Sequence, residues 1–266
     1  MSYNDSDLGP AHPTPVRATP VVLVHGLRIS GAALHRIADA VGDRPTICPD
    51  LPGHGARTRE TFTMAGAVTA VRDAVEDIGT PAVIAGMSLG GYVAMATAAA
   101  HPECVAGLVA MGSTAQPSKF LATPFRLFGA ATGFLPAQSA EISRVLTRLA
   151  LGRRVADDME AGGLALAAIS DVVDEIAAFD ALGALAAYSG PMLFANGGWD
   201  QFRIHEKRFA ALSAHAEVRV ISRATHLYPL IQPQLAGTMI GDFATAITVQ
   251  TTHTQTTRTG ATADDD

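Results

Sequence analysis

The chain is 266 residues long, carries a net charge of −6, and is 48% hydrophobic against 17% charged residues. A chain of this length buries about three quarters of its unfolded surface, so it needs neither a disulfide nor a metal to hold a core. No block of Lys or Arg offers nucleic acid an electrostatic footprint, and no apolar run reaches the roughly 20 residues of a membrane span. Cys48 and Cys104 belong to no pair or Cys/His cluster with metal-ligand spacing. No metal or cofactor motif is read, and the partner class left is a small-molecule substrate. Residues 1–20 are polar and proline-rich, with Asp5 and Asp7 and no basic patch leading into an apolar stretch. They are read as a disordered N-terminal segment rather than a secretory signal, and a cytoplasmic location is the expectation. Composition leaves a homo-oligomer open.

From there, short β-branched runs alternate with Ala/Leu-rich stretches of helical spacing, the pattern of parallel strands joined by crossover helices. Strands are expected at Val21 to Val24, Thr46 to Cys48, Ala82 to Ala85, Gly107 to Met111, Met192 to Ala195 and Val218 to Ile221. Most are apolar without alternation, as strands covered on both faces are. Helices are expected at about Gly31 to Val41, Met64 to Ile78, Leu89 to Ala100, Phe202 to Ala214 and Pro233 to Ile247. The rhythm breaks between 115 and 188, where Ile142, Val145, Leu146 and Leu149, then Val172, Val173, Ile176 and Phe179, are spaced as on helices. That interval is read as a helical cap inserted into a doubly wound core of 21–114 and 189–250, with 251–266, Thr-rich and ending in three aspartates, as a disordered tail.

The chemistry enters at Gly86-Met87-Ser88-Leu89-Gly90, which follows an expected strand and opens an expected helix. A serine on so sharp a turn is pushed out above the sheet, and the flanking glycines let strand and helix approach. Its hydroxyl is a poor nucleophile at neutral pH, so a base must take the proton and a third group must orient that base. Five histidines follow Ser88, and of these His226 alone sits in a loop directly after an expected strand. The acid is expected at Asp200, in the loop Asn196-Gly197-Gly198-Trp199-Asp200, because the loop after Met111 holds Gly112-Ser113-Thr114 and no carboxylate. An N-cap on the following helix is the alternative role for Asp200. Two backbone N–H groups, those of Leu27 and Leu89, are expected to form the oxyanion hole. His25 is read as a structural loop residue.

Together Val24-His25-Gly26, Asp50-Leu51-Pro52-Gly53-His54-Gly55, Gly86 to Gly91, His101-Pro102-Glu103 and Gly197 to Asp200 resemble the α/β-hydrolase superfamily, in its esterase, lactonase and cofactor-free haloperoxidase branch. The resemblance implies an α/β-hydrolase fold with an inserted cap over about Val21 to Ile247, and a structural role for His54. Dehalogenases and many epoxide hydrolases of similar fold carry aspartate at the position of Ser88, which sets those reactions aside. The family's common N-terminal hairpin finds no strand signal before Pro20, so the sheet is expected to be short by one or two strands.

The resulting expectation is a serine hydrolase of EC 3.1.1 type, cleaving a carboxylic ester or lactone with an apolar acyl or alcohol part. A thioesterase, a carbon–carbon bond hydrolase and a perhydrolase or haloperoxidase are alternatives on the same triad. A ligand-binding protein that keeps the fold without turnover is the alternative of another class. Arg28, beside the oxyanion loop, is placed either to hold a substrate carboxylate or to pair with a neighbouring acid. Trp199, Phe125 and Phe128 are candidate substrate contacts, though the cap phenylalanines equally suit packing of cap on sheet. Arg144, Arg148, Arg153 and Arg154 suit an acidic carrier such as coenzyme A, or a solvated helix face.

Overall fold

The computed structural model describes residues 18–134 and 136–261, with side chains described except at 128, 129, 131–140 and 251–261. In chain order it runs β1 (Val21–Val24), α1 (His35–Ala40), β2 (Thr46–Ile47), α2 (Met64–Ile78), β3 (Ala82–Met87), α3 (Leu89–Ala100) and β4 (Val105–Met111). Next come α4 (Lys119–Phe134), α5 (Pro136–Glu160), α6 (Ile169–Ala178) and α7 (Ala181–Ala186), then β5 (Met192–Gly197), α8 (Glu206–Ala210), β6 (Ala216–Ile221), α9 (Tyr228–Ile231) and α10 (Pro233–Ala261). The sheet order is β2-β1-β3-β4-β5-β6, with every neighbouring pair parallel. The chain therefore starts one strand in from an edge, steps out to β2 at that edge, and returns past β1 to lay down the other four strands. That reversal opens a crevice at the carboxyl ends of β1 and β3, where open α/β sheets bind ligands.

Strand periodicity sorts the core into two layers. Val22, Val24, Ile84, Leu108 and Phe194 pack with α2, α3 and α7. Their sequence neighbours Val21, Leu23, Val83, Val109 and Leu193 pack with α1 and α10 on the opposite face. Each helix supplies the matching stripe: α2 buries Ala67, Val68, Ala70, Val71, Ala74 and Val75 at helical spacing, starts at a Thr63 side chain that accepts from Gly66 N–H, and stops at Gly79 in the left-handed region. The edge strand β6 instead exposes Val218 and Val220, with an Arg219–Glu217 ion pair beside them.

The expected elements stand where the periodicity put them, with three differences. The helix expected over Phe202 to Ala214 shrinks to α8, because its first residues are drawn into a loop: Phe202 N–H donates to Asp200 Oδ1 at 2.8 Å and His205 N–H to Thr114 O at 3.1 Å. The short α9 is an addition to the expected elements; Pro229 sits in its first turn and buried Tyr228 anchors it. The last helix continues past Ile247 to Ala261, while residues 1–17 and 262–266 lie outside the described residues.

Between β4 and β5 the chain is helical wherever it is described in regular structure, from α4 to α7. Gly152 (φ 81°, ψ 164°) bends α5 sharply, and the bend brings Arg144 to Glu160 at 3.0 Å and Arg148 to Asp157 at 3.0 Å, a charged seam between the two arms. Ile142, Val145, Leu146 and Leu149 are helical as their spacing implies, but they stand exposed instead of facing the sheet. Both polar and apolar contacts fasten this segment to the core: buried Asp158 accepts from Arg36 Nε at both oxygens, Ser30 Oγ donates to Ala161 O at 2.6 Å, the backbone N–H of Ala165 donates to Arg28 O, and Val155, Met159, Val172 and Leu185 are buried in the core layers. Arg144 and Arg148 are thus engaged within the fold, and Arg154 donates to Ile231 O.

A close backbone approach joins β1, β3 and α3. A Cβ on Gly90 would overlap the carbonyl of Val24, and one on Gly86 would overlap the backbone of Gly90. Backbone has no rotamer with which to give way, so Gly90→Ala is expected to destabilise the protein by about 3 kcal/mol or more in urea unfolding. A loss below about 1 kcal/mol contradicts this packing.

Candidate active site

Ser88 lies between the last residue of β3 and the first of α3, with φ 53° and ψ −117°. A non-glycine residue in that region costs on the order of 1–3 kcal/mol and persists only when its surroundings hold it. Here they do: Ser88 N–H donates to Met111 O at 2.8 Å, and Ser88 O accepts from Gly91 N–H at 3.0 Å and from Ser113 Oγ at 2.8 Å. The hydroxyl is left facing the crevice.

Two loops bring partners to it. His226, on the turn between β6 and α9, places Nε2 3.0 Å from Ser88 Oγ. Its Nδ1 lies 3.0 Å from Asp200 Oδ2 and 3.1 Å from Oδ1. A carboxylate only accepts, so Nδ1 carries the proton and donates to Asp200, leaving the Nε2 lone pair for the serine O–H. The Asp200 side chain has no exposed surface and that of His226 little. Asp200 Oδ1 also accepts from Phe202 N–H, which fixes the carboxylate plane. The N-cap alternative is excluded, since α8 begins six residues later.

The reason no carboxylate follows β4 is now structural. Gly112, at φ 66°, passes so close that a Cβ there would sit 2.9 Å from both Asp200 Oδ2 and His226 Nδ1. The glycine makes room for the pair.

The loop after β1 borders the serine from the other side. A Cβ on Gly26 would lie 3.6 Å from Ser88 Cβ, and Leu27 and Leu89 both line the cavity that contains Ser88. As the first residue of α3, Leu89 has an N–H without an intrahelical acceptor, at the positive end of the helix dipole. His25 braces this loop from below: buried, it accepts the Leu51 N–H at Nε2 (3.1 Å) and donates from Nδ1 to Gly26 O (2.9 Å). Burial, reinforced by His54 at a ring separation of 4.9 Å, pushes its pKa down to about 4. His54, also buried and shifted downward by burial, donates from Nδ1 to Pro52 O. Asp50 ties the same region together, its two oxygens accepting from Gly31 and Ala56 N–H at 2.8 Å each.

The candidate substrate contacts divide. Phe125 lines the cavity on both sides of Ser88, and its ring lies 5.9 Å from that of Phe202, which in turn lies 4.7 Å from the His226 ring. Arg28, at φ 73°, borders the crevice and donates from Nη1 to Ser143 Oγ on α5 at 3.2 Å; burial lowers its pKa. Trp199 is 68% exposed and lines neither side of the crevice, because the turn that aims Asp200 inward sends its neighbour outward. The Phe128 side chain lies outside the described residues. Phe202, Tyr92, Gln201 and Ile176 were missed, and only the position of Phe202 and Gln201 beside Asp200 was a usable signal. Cys48 is a free thiol pushed up to about 12 by burial, away from the site.

Among the described residues no group of three or more His, Cys, Asp or Glu side chains is placed to hold a metal ion, and no helix is long and apolar enough to cross a membrane. The sequence matches the model of the family described as the alpha/beta hydrolase family over residues 21–236. The chain belongs to the α/β-hydrolase family. Within that family it is 38% identical to Lipase LipV of Mycobacterium tuberculosis over 91 residues, 34% of this chain and 35% of that protein. It is 41% identical to the pimeloyl-[acyl-carrier protein] methyl ester esterase of Neisseria meningitidis over 101 residues, 36% of this chain and 37% of that one. The chain thus spans little more than a third of the length of these curated relatives. Over most of both chains this α/β-hydrolase superposes on an esterase from Thermogutta terrifontis, with a TM-score of 0.72 at 23% identity, covering 87% of this chain and 91% of the other.

The buried His25 carries a consequence for stability. Neutral in the fold down to about pH 4, it takes up a proton near its ordinary value of about 6.5 once unfolded. The unfolded chain therefore binds the extra proton between those values, and stability from this group is complete above about pH 6.5 and declines as pH falls toward 4. The slope contributed is on the order of 1 kcal/mol per pH unit. Urea unfolding followed across that window is expected to show a shallower decline for His25→Gln, and an identical decline in both proteins refutes it.

Proposed function

We propose that this α/β-hydrolase is a carboxylic-ester hydrolase of EC 3.1.1 type, acting on small-molecule esters or lactones through an acyl-enzyme on Ser88. The observation that carries the reading is the unbroken line from Asp200 through His226 to Ser88, with both links at 3.0 Å. The names of the two partial relatives, a lipase and a methyl ester esterase, support the same bond class.

In this mechanism Ser88 Oγ attacks the ester carbonyl as its proton passes to His226 Nε2. Asp200 holds the ring in the required tautomer and stabilises the imidazolium. The carbonyl oxygen, now negative, takes hydrogen bonds from the N–H groups of Leu27 and Leu89, each worth about 3 kcal/mol. The intermediate collapses, the carbon–oxygen bond to the alcohol breaks, and His226 hands its proton to the departing oxygen. Water, deprotonated by the same imidazole, then attacks the acyl group and releases the acid and Ser88.

A fluorophosphonate probe is expected to label the purified protein, and a short p-nitrophenyl ester to be turned over, with both lost in Ser88→Ala. A folded protein that shows neither is a binding protein with this fold. Asp200→Asn is expected to lower kcat by about 10⁴ with KM little changed; near-normal turnover removes Asp200 from the mechanism.

A further inference from the structure

Ser88 stands where two pockets of unequal size and character meet. One, of about 90 Å³, runs beneath α4 and α6 over Leu89, Tyr92, Leu121, Val173 and Ile176, and its described lining carries no charged group. The other, of about 360 Å³, is bordered by Arg28, Met159, Gln201, His226 and Leu230. Phe125 and Phe202 line both, so their facing rings form the wall that separates them.

Geometry decides which arm of an ester goes where. The group that departs must have its oxygen within reach of the His226 proton, since an alkoxide without one is a poor leaving group. His226 borders the larger pocket and not the smaller. The oxyanion faces Leu27 and Leu89, which leaves the smaller pocket to the acyl chain. A cavity of roughly 150 Å³ accommodates one benzene ring, so about 90 Å³ holds an acyl chain of only a few carbons.

Resting on the hydrolase reading above, we infer that the substrates are esters of short apolar acids with larger alcohols, the acyl chain inserted under α6 and the alcohol lying between Arg28 and α9. Phe125, Phe202 and Ile176 are the residues that set the acyl limit. The Phe202 ring does so at the point where its backbone also holds Asp200, so the size limit and the alignment of His226 are built from one residue.

Octyl acetate and ethyl octanoate are isomers with the same ester linkage and unactivated alkyl alcohols, and they differ in which side of the carbonyl is long. With the purified full chain, kcat/KM for octyl acetate is expected to exceed that for ethyl octanoate by about tenfold or more, since a single methylene in an apolar pocket is worth about that much. Ile176→Ala, which lengthens the acyl pocket, is expected to narrow the ratio, as is Phe125→Ala. A ratio of one or below, or cleavage of neither isomer, in protein whose Ser88 reacts with the fluorophosphonate and turns over p-nitrophenyl acetate overturns the assignment of the pockets and leaves the hydrolase reading standing. Absence of labelling and of p-nitrophenyl acetate turnover overturns both.

Discussion

The close passage of α3 beneath β1 and beside β3 is the constraint on which the rest of the molecule depends. Only because Gly86 and Gly90 carry no side chain can the chain turn from strand to helix within one residue. That turn forces Ser88 to φ 53°, a conformation the residue would leave if it were free to. Hydrogen bonds from the ends of β4 and the first turn of α3 hold it there. The strain is local, and the parallel sheet, buried on both faces, is the frame stiff enough to bear it.

Around that turn the site is assembled from segments 138 residues apart between Ser88 and His226. Each arrives on a loop at the carboxyl end of a strand, and each loop is pinned by backbone hydrogen bonds rather than by side-chain packing alone. Gly112 illustrates how tightly they share space: it leaves the end of β4 at a positive φ, and a Cβ on it would lie 2.9 Å from both Asp200 Oδ2 and His226 Nδ1. The buried pair His25 and His54, held neutral by burial, plays the complementary part beneath the loop after β1, filling space while satisfying backbone groups that an apolar side chain would leave unpaired.

The inserted helices contribute differently. Asp158, Ser30 and Arg28 tie them to the core through polar contacts, while Val155 and Met159 of α5, Val172 of α6 and Leu185 of α7 are buried in the apolar layers against the sheet. The crevice has two unequal halves: the small one is roofed by the apolar faces of α4 and α6, and the large one is bordered by Arg28 and Gln201 on loops and by Phe125 of α4, Met159 of α5 and Leu230 of α9.

What was legible from the residues alone was everything that local chemistry dictates. The strands of the parallel sheet were readable because burial on both faces demands unbroken β-branched runs, and the turn at Ser88 because only glycine tolerates that approach. His226 and Asp200 were readable because each follows a strand in a loop that points to one edge of the sheet. Tertiary structure alone decided the rest. Phe202 was expected to open a helix, and became a wall of the crevice because the Asp200 carboxylate captured its N–H. Trp199 faced solvent because its neighbour faced inward. Ile142, Val145, Leu146 and Leu149 have the spacing of a buried helix and yet lie exposed, because the bend at Gly152 sets the direction of that arm. Periodicity reports which residues share a face of an element; where that face points depends on what the rest of the chain places opposite it.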